Sequence, residues 1–450
     1  MPKNIAGFDY FEVEFNRKGE VHSDAQVATL SDFVTGQKVT DLLVFSHGWN
    51  NDEAEARALY SNWLTSARAV LDDPRKLVPG AAQRRFAMLA VLWPSKRFAE
   101  QDLIPGGAAG LASGTTTDKL AAQLEDMKKL FSEKDEKAAL DKAKLLLPKI
   151  RKDAHARKEF VEHLRSLVSN KNADAEDGSD QLFKKNPEEL FAAMSAPVKS
   201  AKAKIDPEAG GAASVGGTKK HTAADDGGAA GLGDWLNKVV EGAQNLANLT
   251  TYYEMKARAG LVGTHGVSQV LQRLRKSQPA LKLHLIGHSF GGRLVTSVVD
   301  GPDHVTPLTF DSMTLLQAAF SHNGFAKNYH DGKDGFFRRV LTDKRVKGPV
   351  VVTFTKNDKA VGLAYPLAAR MNGADAAALG DANDRFGGIG RNGAQKTPEA
   401  NFATLLEVGG AYALKAGSIN NLNADKFVHS HGDVAGKQVA YATLTAVSMT

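Results

Sequence analysis

Short, nearly continuous apolar runs recur along this chain, and segments with helical spacing separate them. Thr40–Phe45, Arg85–Trp93, Leu281–Ile286, Ser312–Phe320 and Gly348–Thr355 each read as a strand buried on both faces. Phe8–Phe15 alternates apolar and polar positions and reads as an edge strand, turned by Asn16–Gly19. Between these runs, Asp52–Leu71 carries Leu59, Trp63, Leu64 and Ala67 on one face, with Asn51 or Asp52 available as its cap. Further helices are expected near Leu249–Arg275, over 291–300 and near Phe336–Asp343. Strands alternating with helices, and strands without a polar face, predict an α/β fold with a mainly parallel sheet covered on both sides.

The stretch from Gln101 to Gly233 breaks this rhythm. Gly106–Gly114 reads as a flexible hinge, and Ala209–Gly217 through Gly227–Gly233 is of low complexity. Lys119–Leu147 and Lys149–Val168 read as charged helices rich in Ala, Leu and Lys. The expected organisation is one α/β unit made of 1–100 and 235–450, interrupted by a helical insertion at 101–234. Two readings of the insertion stay open. It is a lid whose apolar faces cover a pocket of the α/β unit and whose lysines face water or an anionic surface, or it is a solvated appendage.

Candidate chemistry sits at the ends of the predicted strands. Leu281–Ile286 runs into Gly287-His288-Ser289-Phe290-Gly291-Gly292, a G-x-S-x-G turn between strand and helix. Such a turn lifts a serine hydroxyl clear of the sheet. It brings the flanking backbone so close that only glycine fits, which accounts for Gly287 and Gly291. His288, inside the turn, is expected to support it. Thr40–Phe45 ends in Ser46-His47-Gly48-Trp49-Asn50-Asn51, where a glycine can turn a backbone amide toward a developing oxyanion. The amides of Trp49 and Phe290 are the expected donors, and His47 and Gly48 support them. Such donors stabilise a tetrahedral intermediate by about 3 kcal/mol each.

The third strand end is Lys356-Asn357-Asp358, and Asp358 is the candidate acid; Asp384 and Asp425 compete with it but follow no clear strand. A base that comes last in the chain leaves two histidines, in Phe427-Val-His-Ser-His-Gly-Asp433. His431, followed by a Gly-Asp turn, is preferred; His429 remains the alternative. His322, at the expected end of Ser312–Phe320, is a candidate for lining the pocket. Gly388-Ile-Gly390-Arg-Asn-Gly393 matches a dinucleotide fingerprint but follows no strand and opens no long helix, so it reads as a glycine-rich loop.

Taken together, Ser-His-Gly-Trp-Asn-Asn at 46–51, Gly-His-Ser-Phe-Gly-Gly at 287–292, Asn-Asp-Lys-Ala-Val at 357–361 and His-Ser-His-Gly-Asp at 429–433 resemble an α/β-hydrolase of the lipase/esterase type. The resemblance covers 8–98 and 250–450 and omits the segment between them. It implies a serine hydrolase cleaving carboxylic esters through an acyl-enzyme, with Ser289 as nucleophile, Asp358 and His431 as partners, and no cofactor or metal. Other readings are a lipase or phospholipase working at membranes, including a delivered bacterial effector, or a non-catalytic scaffold. Lids commonly follow a later strand in that superfamily, so the insertion departs from the pattern.

Composition narrows the classes further. The 450 residues include no cysteine, which excludes disulfides, thiol nucleophiles and cysteine-held iron–sulfur clusters. The net charge of +6 is mild for this length, and the lysines crowd into the insertion where aromatics are sparse. That is not the basic, aromatic stripe of a nucleic-acid binder. A small-molecule or lipid ester is the expected partner, with membrane contact through the insertion open. No run reaches the roughly 20 apolar residues of a membrane span. The N-terminal residues carry no apolar leader, so a cytoplasmic location is expected, with export by a signal-less route left open.

Overall fold

The computed structural model describes residues 2–49, 51–95, 116–170, 173–195, 230–302, 307–358 and 385–450. Among them, nine strands form one sheet: β1 (Lys3–Ile5), β2 (Phe8–Glu14), β3 (Asp41–Ser46), β4 (Phe86–Leu92), β5 (Lys282–His288), β6 (Ser312–Leu316), β7 (Val350–Phe354), β8 (Ala400–Thr404) and β9 (Ile419–Asn423). Their spatial order is β1-β2-β4-β3-β5-β6-β7-β9-β8. Every pairing is parallel except β1 with β2. The chain is therefore an α/β protein with a mostly parallel sheet. Phe8–Glu14 is not the edge expected from its alternation: Lys3–Ile5 pairs along its outer side. With Ile5 as its one apolar residue, that short segment gave no strand signal in the sequence.

The central strands separate two hydrophobic layers by simple alternation. In β3, Leu42 and Val44 face one layer while Leu43 and Phe45 face the other; β4 divides Leu89 and Val91 from Met88 and Ala90 in the same way. The second layer is closed by helix α1 (Glu53–Leu71), through Tyr60, Trp63 and Leu64, and by the C-terminal helix Lys437–Ser448. Asp52 caps α1, accepting from the Glu55 amide while the Glu55 carboxylate accepts from the Asp52 amide. Such a reciprocal cap is worth about 1 kcal/mol.

The first layer holds α2 (Ala230–Leu261) and α3 (Phe290–Asp300), together with helices from the expected insertion. These run Thr116–Leu130, Lys134–Ile150, Ala154–Arg165 and Pro187–Ser195. The first expected helix is split at Phe131–Glu133, and the break expected at Pro148 falls at Arg151–Asp153, because Pro148 is tolerated inside the second of these helices. Leu124, Met127, Leu140, Phe160, Leu190 and Met194 join the same core cluster as Leu246, Phe290 and Leu294, so these helices share the core of the sheet layer. Gly106–Gly114 and Ala209–Gly217 lie outside the described residues, whereas Ala230–Gly233, expected within a low-complexity stretch, opens α2. No helix among the described residues is long and apolar enough to cross a membrane.

The helix expected over 249–275 is one rod interrupted by a π-turn at Val262–Val267. Two glycines explain the interruption. A Cβ at Gly263 would stand 2.2 Å from the carbonyl oxygen of Leu294, and one at Gly266 would stand 2.5 Å from that of Gly19. The turn lets the rod lie backbone-to-backbone against α3.

A buried polar clasp fixes the segment 173–180 to this layer. Asp177 pairs with Lys256 of α2, and the Glu176 carboxylate accepts from the Phe336 amide at 2.6 Å. Burial, with Asp174 nearby, pushes the Glu176 carboxyl up to about 7. A raised carboxyl stays protonated in the fold while the unfolded chain ionises, so its cost grows as pH rises from about 4.5 to about 7 and is absent below that window. Glu176→Gln keeps the carbonyl acceptor. It is expected to stabilise the protein by up to about 3 kcal/mol above pH 7 and to change little near pH 4. Urea denaturation at both pH values checks this, and an equal effect at both would count against it.

Candidate active site

The parallel strands β3, β5, β7 and β9 end at one edge of the sheet, and the candidate residues follow those ends. Ser46 of β3 pairs with Gly287 of β5, which brings the two loops that follow them together. Ser289 has φ 56° and ψ −124°, a conformation an L-residue rarely adopts. It costs about 1–3 kcal/mol and persists only where the surroundings over-determine it. Here the Ser289 amide donates to Leu316 at 3.0 Å and the Ser289 carbonyl accepts from Gly292 and Ala319, each at 2.9 Å. Ser289 is the only link between β5 and α3, so the turn is as tight as the sequence predicts.

The glycines are demanded by contact. A Cβ at Gly287 would lie 2.3 Å from the Gly291 oxygen. One at Gly291 would lie 2.1 Å from the Ser46 oxygen and 2.5 Å from that of His47. One at Gly48 would lie 2.6 Å from the Ser289 Cβ. The end of β3 thus rests directly on the first turn of α3. The first amides of that helix have no acceptor within it, because the residues four positions earlier are not helical. The Phe290 amide belongs to this set.

His47 is fully buried. Its Nε2 accepts from the Trp93 amide at 3.3 Å, so Nδ1 carries the hydrogen and donates to the Gly48 carbonyl at 2.9 Å. Burial drives its pKa down to about 4, so the ring is neutral at neutral pH. Carbonyl and amide of one trans peptide point in opposite directions. The bond to Gly48 O therefore turns the Trp49 N–H away from His47. The Trp49 ring packs on Phe290 and Tyr252, with centroids 5.8 and 6.4 Å apart.

At the other end of the site, His431 Nδ1 meets Asp358 Oδ2 at 2.8 Å. Asp358 is completely buried and follows β7; His431 is partly exposed and follows β9. His429 is exposed and its amide donates to Asp433, so it is His431 that the fold carries to Asp358. The competitor Asp425 has another task. It accepts from Thr355 Oγ1 at 2.8 Å and from the Lys356 amide at 2.9 Å, tying the end of β7 to the turn after β9. Partial burial would raise its carboxyl, but these bonds outweigh that and hold it below the usual carboxylate range. Asp384 and Lys359–Val361 lie outside the described residues. His288 Nε2 donates to the His431 carbonyl at 2.8 Å, and the two rings lie 4.8 Å apart.

Two expectations change. β6 ends at Leu316, because Gln317 turns at φ 41°, and His322 is buried against the 387–395 segment with Nδ1 3.1 Å from Asn392. It packs that segment. The G-x-G-x-x-G stretch forms only the short helix Ile389–Asn392. Its Gly390 is required because a Cβ there would lie 2.4 Å from the Gln317 carbonyl carbon. Arg391 clamps the carbonyls of Lys356 and Asp358, so this loop braces the candidate acid.

Sequence reasoning missed a second Ser-His-Asp chain. His284 bridges Ser312 Oγ at 2.8 Å and Asp41 Oδ1 at 3.0 Å, and Arg84 reaches Asp41 at 2.5 Å. It lies at the amino ends of β3, β5 and β6. All three side chains are at most 2% exposed, and Asp41 starts β3 opposite Lys282 while His284 lies two residues further on, opposite Leu43, with no turn to present them. This set pins the sheet and has no access to a substrate. The polar residues inside otherwise apolar strands were its only sequence signal.

Replacing Gly291 by Ala is expected to destabilise the fold by about 3 kcal/mol or more, since two carbonyls must move. Gly36→Ala, with open space around it, is expected to be near neutral. Urea midpoints of the two variants check the contrast. Comparison with protein-family models, with curated proteins and with solved structures finds no match for this chain.

Proposed function

We propose that this protein is a serine hydrolase that cleaves carboxylic esters, built on an α/β-hydrolase type of sheet. The reading rests above all on the Asp358–His431 hydrogen bond. It is made between loops after β7 and β9; His288, which meets the His431 carbonyl, directly precedes a serine held at positive φ after β5. The order along the chain, serine then acid then histidine, is that of α/β-hydrolases.

The chemistry follows from which atoms are free. His431 Nδ1 is engaged by Asp358, so Nδ1 carries the hydrogen and Nε2 is left to accept. As Ser289 Oγ attacks the acyl carbon, its proton passes to His431 Nε2. The imidazolium is stabilised by the ionised Asp358 carboxylate. The carbonyl oxygen becomes an oxyanion facing the amides of Phe290 and Trp49. Collapse expels the alcohol, which takes the proton back from His431, and leaves an acyl-enzyme on Ser289. Water, deprotonated by His431, then releases the acid and restores the serine. No metal or redox step is needed for this sequence.

Initial rates on p-nitrophenyl esters from acetate to palmitate test the proposal. Ser289→Ala is expected to abolish turnover with folding intact. Asp358→Asn is expected to lower kcat by about 10⁴-fold, the size of the effect in other Ser-His-Asp enzymes. His431→Ala should match Ser289→Ala, and His429→Ala should leave turnover near wild type. Turnover that survives Ser289→Ala would overturn the assignment. The chain-length optimum separates an esterase from a lipase.

A further inference from the structure

His288 does more than occupy the middle of the G-x-S-x-G turn. It is the last residue of β5 and is 6% exposed. Its Nε2 lies 2.8 Å from the backbone oxygen of His431. A carbonyl only accepts, so Nε2 carries the hydrogen and the neutral ring has its lone pair at Nδ1. That Nδ1 is buried and has no hydrogen-bond partner among the described residues. It lies against Gly48, where a Cβ would come within 3.2 Å of it. One imidazole therefore touches the turn after β3, precedes the serine and holds the loop after β9.

We propose that His288 is a positioning residue for His431: it fixes the backbone of the base while Asp358 fixes the ring. The proposal rests on the hydrolase reading above. His431 is partly exposed and sits in a Ser-His-Gly-Asp turn, which by itself leaves its backbone free to shift. Asp358 constrains one ring nitrogen but permits rotation of the ring about that bond. A second anchor at the carbonyl of the same residue removes that freedom. The anchor must also stay uncharged, since an imidazolium 4.8 Å away would oppose the charge that His431 gains in each cycle. Burial, and next the His431 ring, hold the pKa of His288 down at about 3, so the anchor is neutral at any working pH.

Three variants separate this role from packing. In His288→Gln the amide nitrogen can occupy the place of Nε2 and still donate. In His288→Asn the amide falls near the place of Nδ1 and cannot reach. His288→Leu fills space and donates nothing. Labelling by a fluorophosphonate, with Ser289→Ala as the blank, and kcat and KM on the best ester are measured for each. Asn and Leu are expected to lose about 10- to 100-fold in kcat and in labelling rate, with KM within about 3-fold, as a misplaced base should. Gln is expected to stay within about 3-fold of wild type in all of them. Hydrogen exchange of the 429–433 amides should quicken in Asn and Leu and not in Gln. If Leu fails to fold, the contrast between Gln and Asn carries the test. Folded Asn and Leu variants as active as wild type, or Gln as impaired as Asn, would overturn the positioning role alone. A wild type that Ser289-dependent labelling does not detect would overturn the hydrolase reading and this role with it.

Discussion

The site depends on an approach of two backbones with no side chain between them. The end of β3 lies on the first turn of α3, with the Ser46 and His47 carbonyls where a Cβ of Gly291 would be and with Ser289 Cβ where a Cβ of Gly48 would be. Interiors are close-packed and do not stretch to absorb a methyl group. Any side chain at these positions separates the two loops. The positive φ of Ser289 is a consequence of the same geometry: a strand must reverse into a helix within one residue while keeping both in contact with β3. The strain is held by hydrogen bonds to Leu316, Gly292 and Ala319.

Around that contact, polar groups serve mainly to fix backbone. His47 holds the Gly48 carbonyl, His288 holds the His431 carbonyl, and Arg391 holds those of Lys356 and Asp358. Asn357 donates to Asp425 and Val428, and Asp425 accepts from Thr355 and Lys356. Loops that carry functional side chains lack the ladder of a sheet, so side chains supply the missing restraint. Two of these ligatures are imidazoles kept neutral by burial, at about 4 and about 3. A neutral imidazole donates one hydrogen without adding a charge beside the Asp358–His431 pair.

The helical layer obeys a different rule. Its residues bury apolar faces into the core already formed by α2 and α3, and the Asp177–Lys256 and Glu176–Phe336 contacts pin an irregular segment to it. Removing one partner of such a buried pair is costly, because it leaves an uncompensated charge inside the layer. The layer therefore has a defined seat on the sheet unit, although its sequence reads as charged helices rich in Ala, Leu and Lys, open to a lid or to a solvated appendage.

Six of the nine strands, the mainly parallel sheet and the candidate residues were legible in the sequence, because each rests on short-range physics; β8 and β9, short and rich in Asn, Ala and Thr, were missed. Apolar runs bounded by turn residues announce strands, and Gly-x-Ser-x-Gly announces a backbone contact that only glycine permits. Pattern did not fix the choice of His431 over His429, and its ground for Asp358 over Asp425, that Asp425 follows no clear strand, fails because β9 ends at Asn423. Those pairs differ only in where the turns after β7 and β9 aim them, and that aim is set by bonds between residues about 70 positions apart. The edge strand Lys3–Ile5, the π-turn at Val262–Val267 and the Asp41–His284–Ser312 set were invisible for the same reason: each exists through partners distant in sequence. The sequence by itself determined which residues can do chemistry and which glycines must be glycine. Only the tertiary structure decided which carboxylate meets which imidazole, since a hydrogen bond depends on direction and distance and local pattern encodes neither.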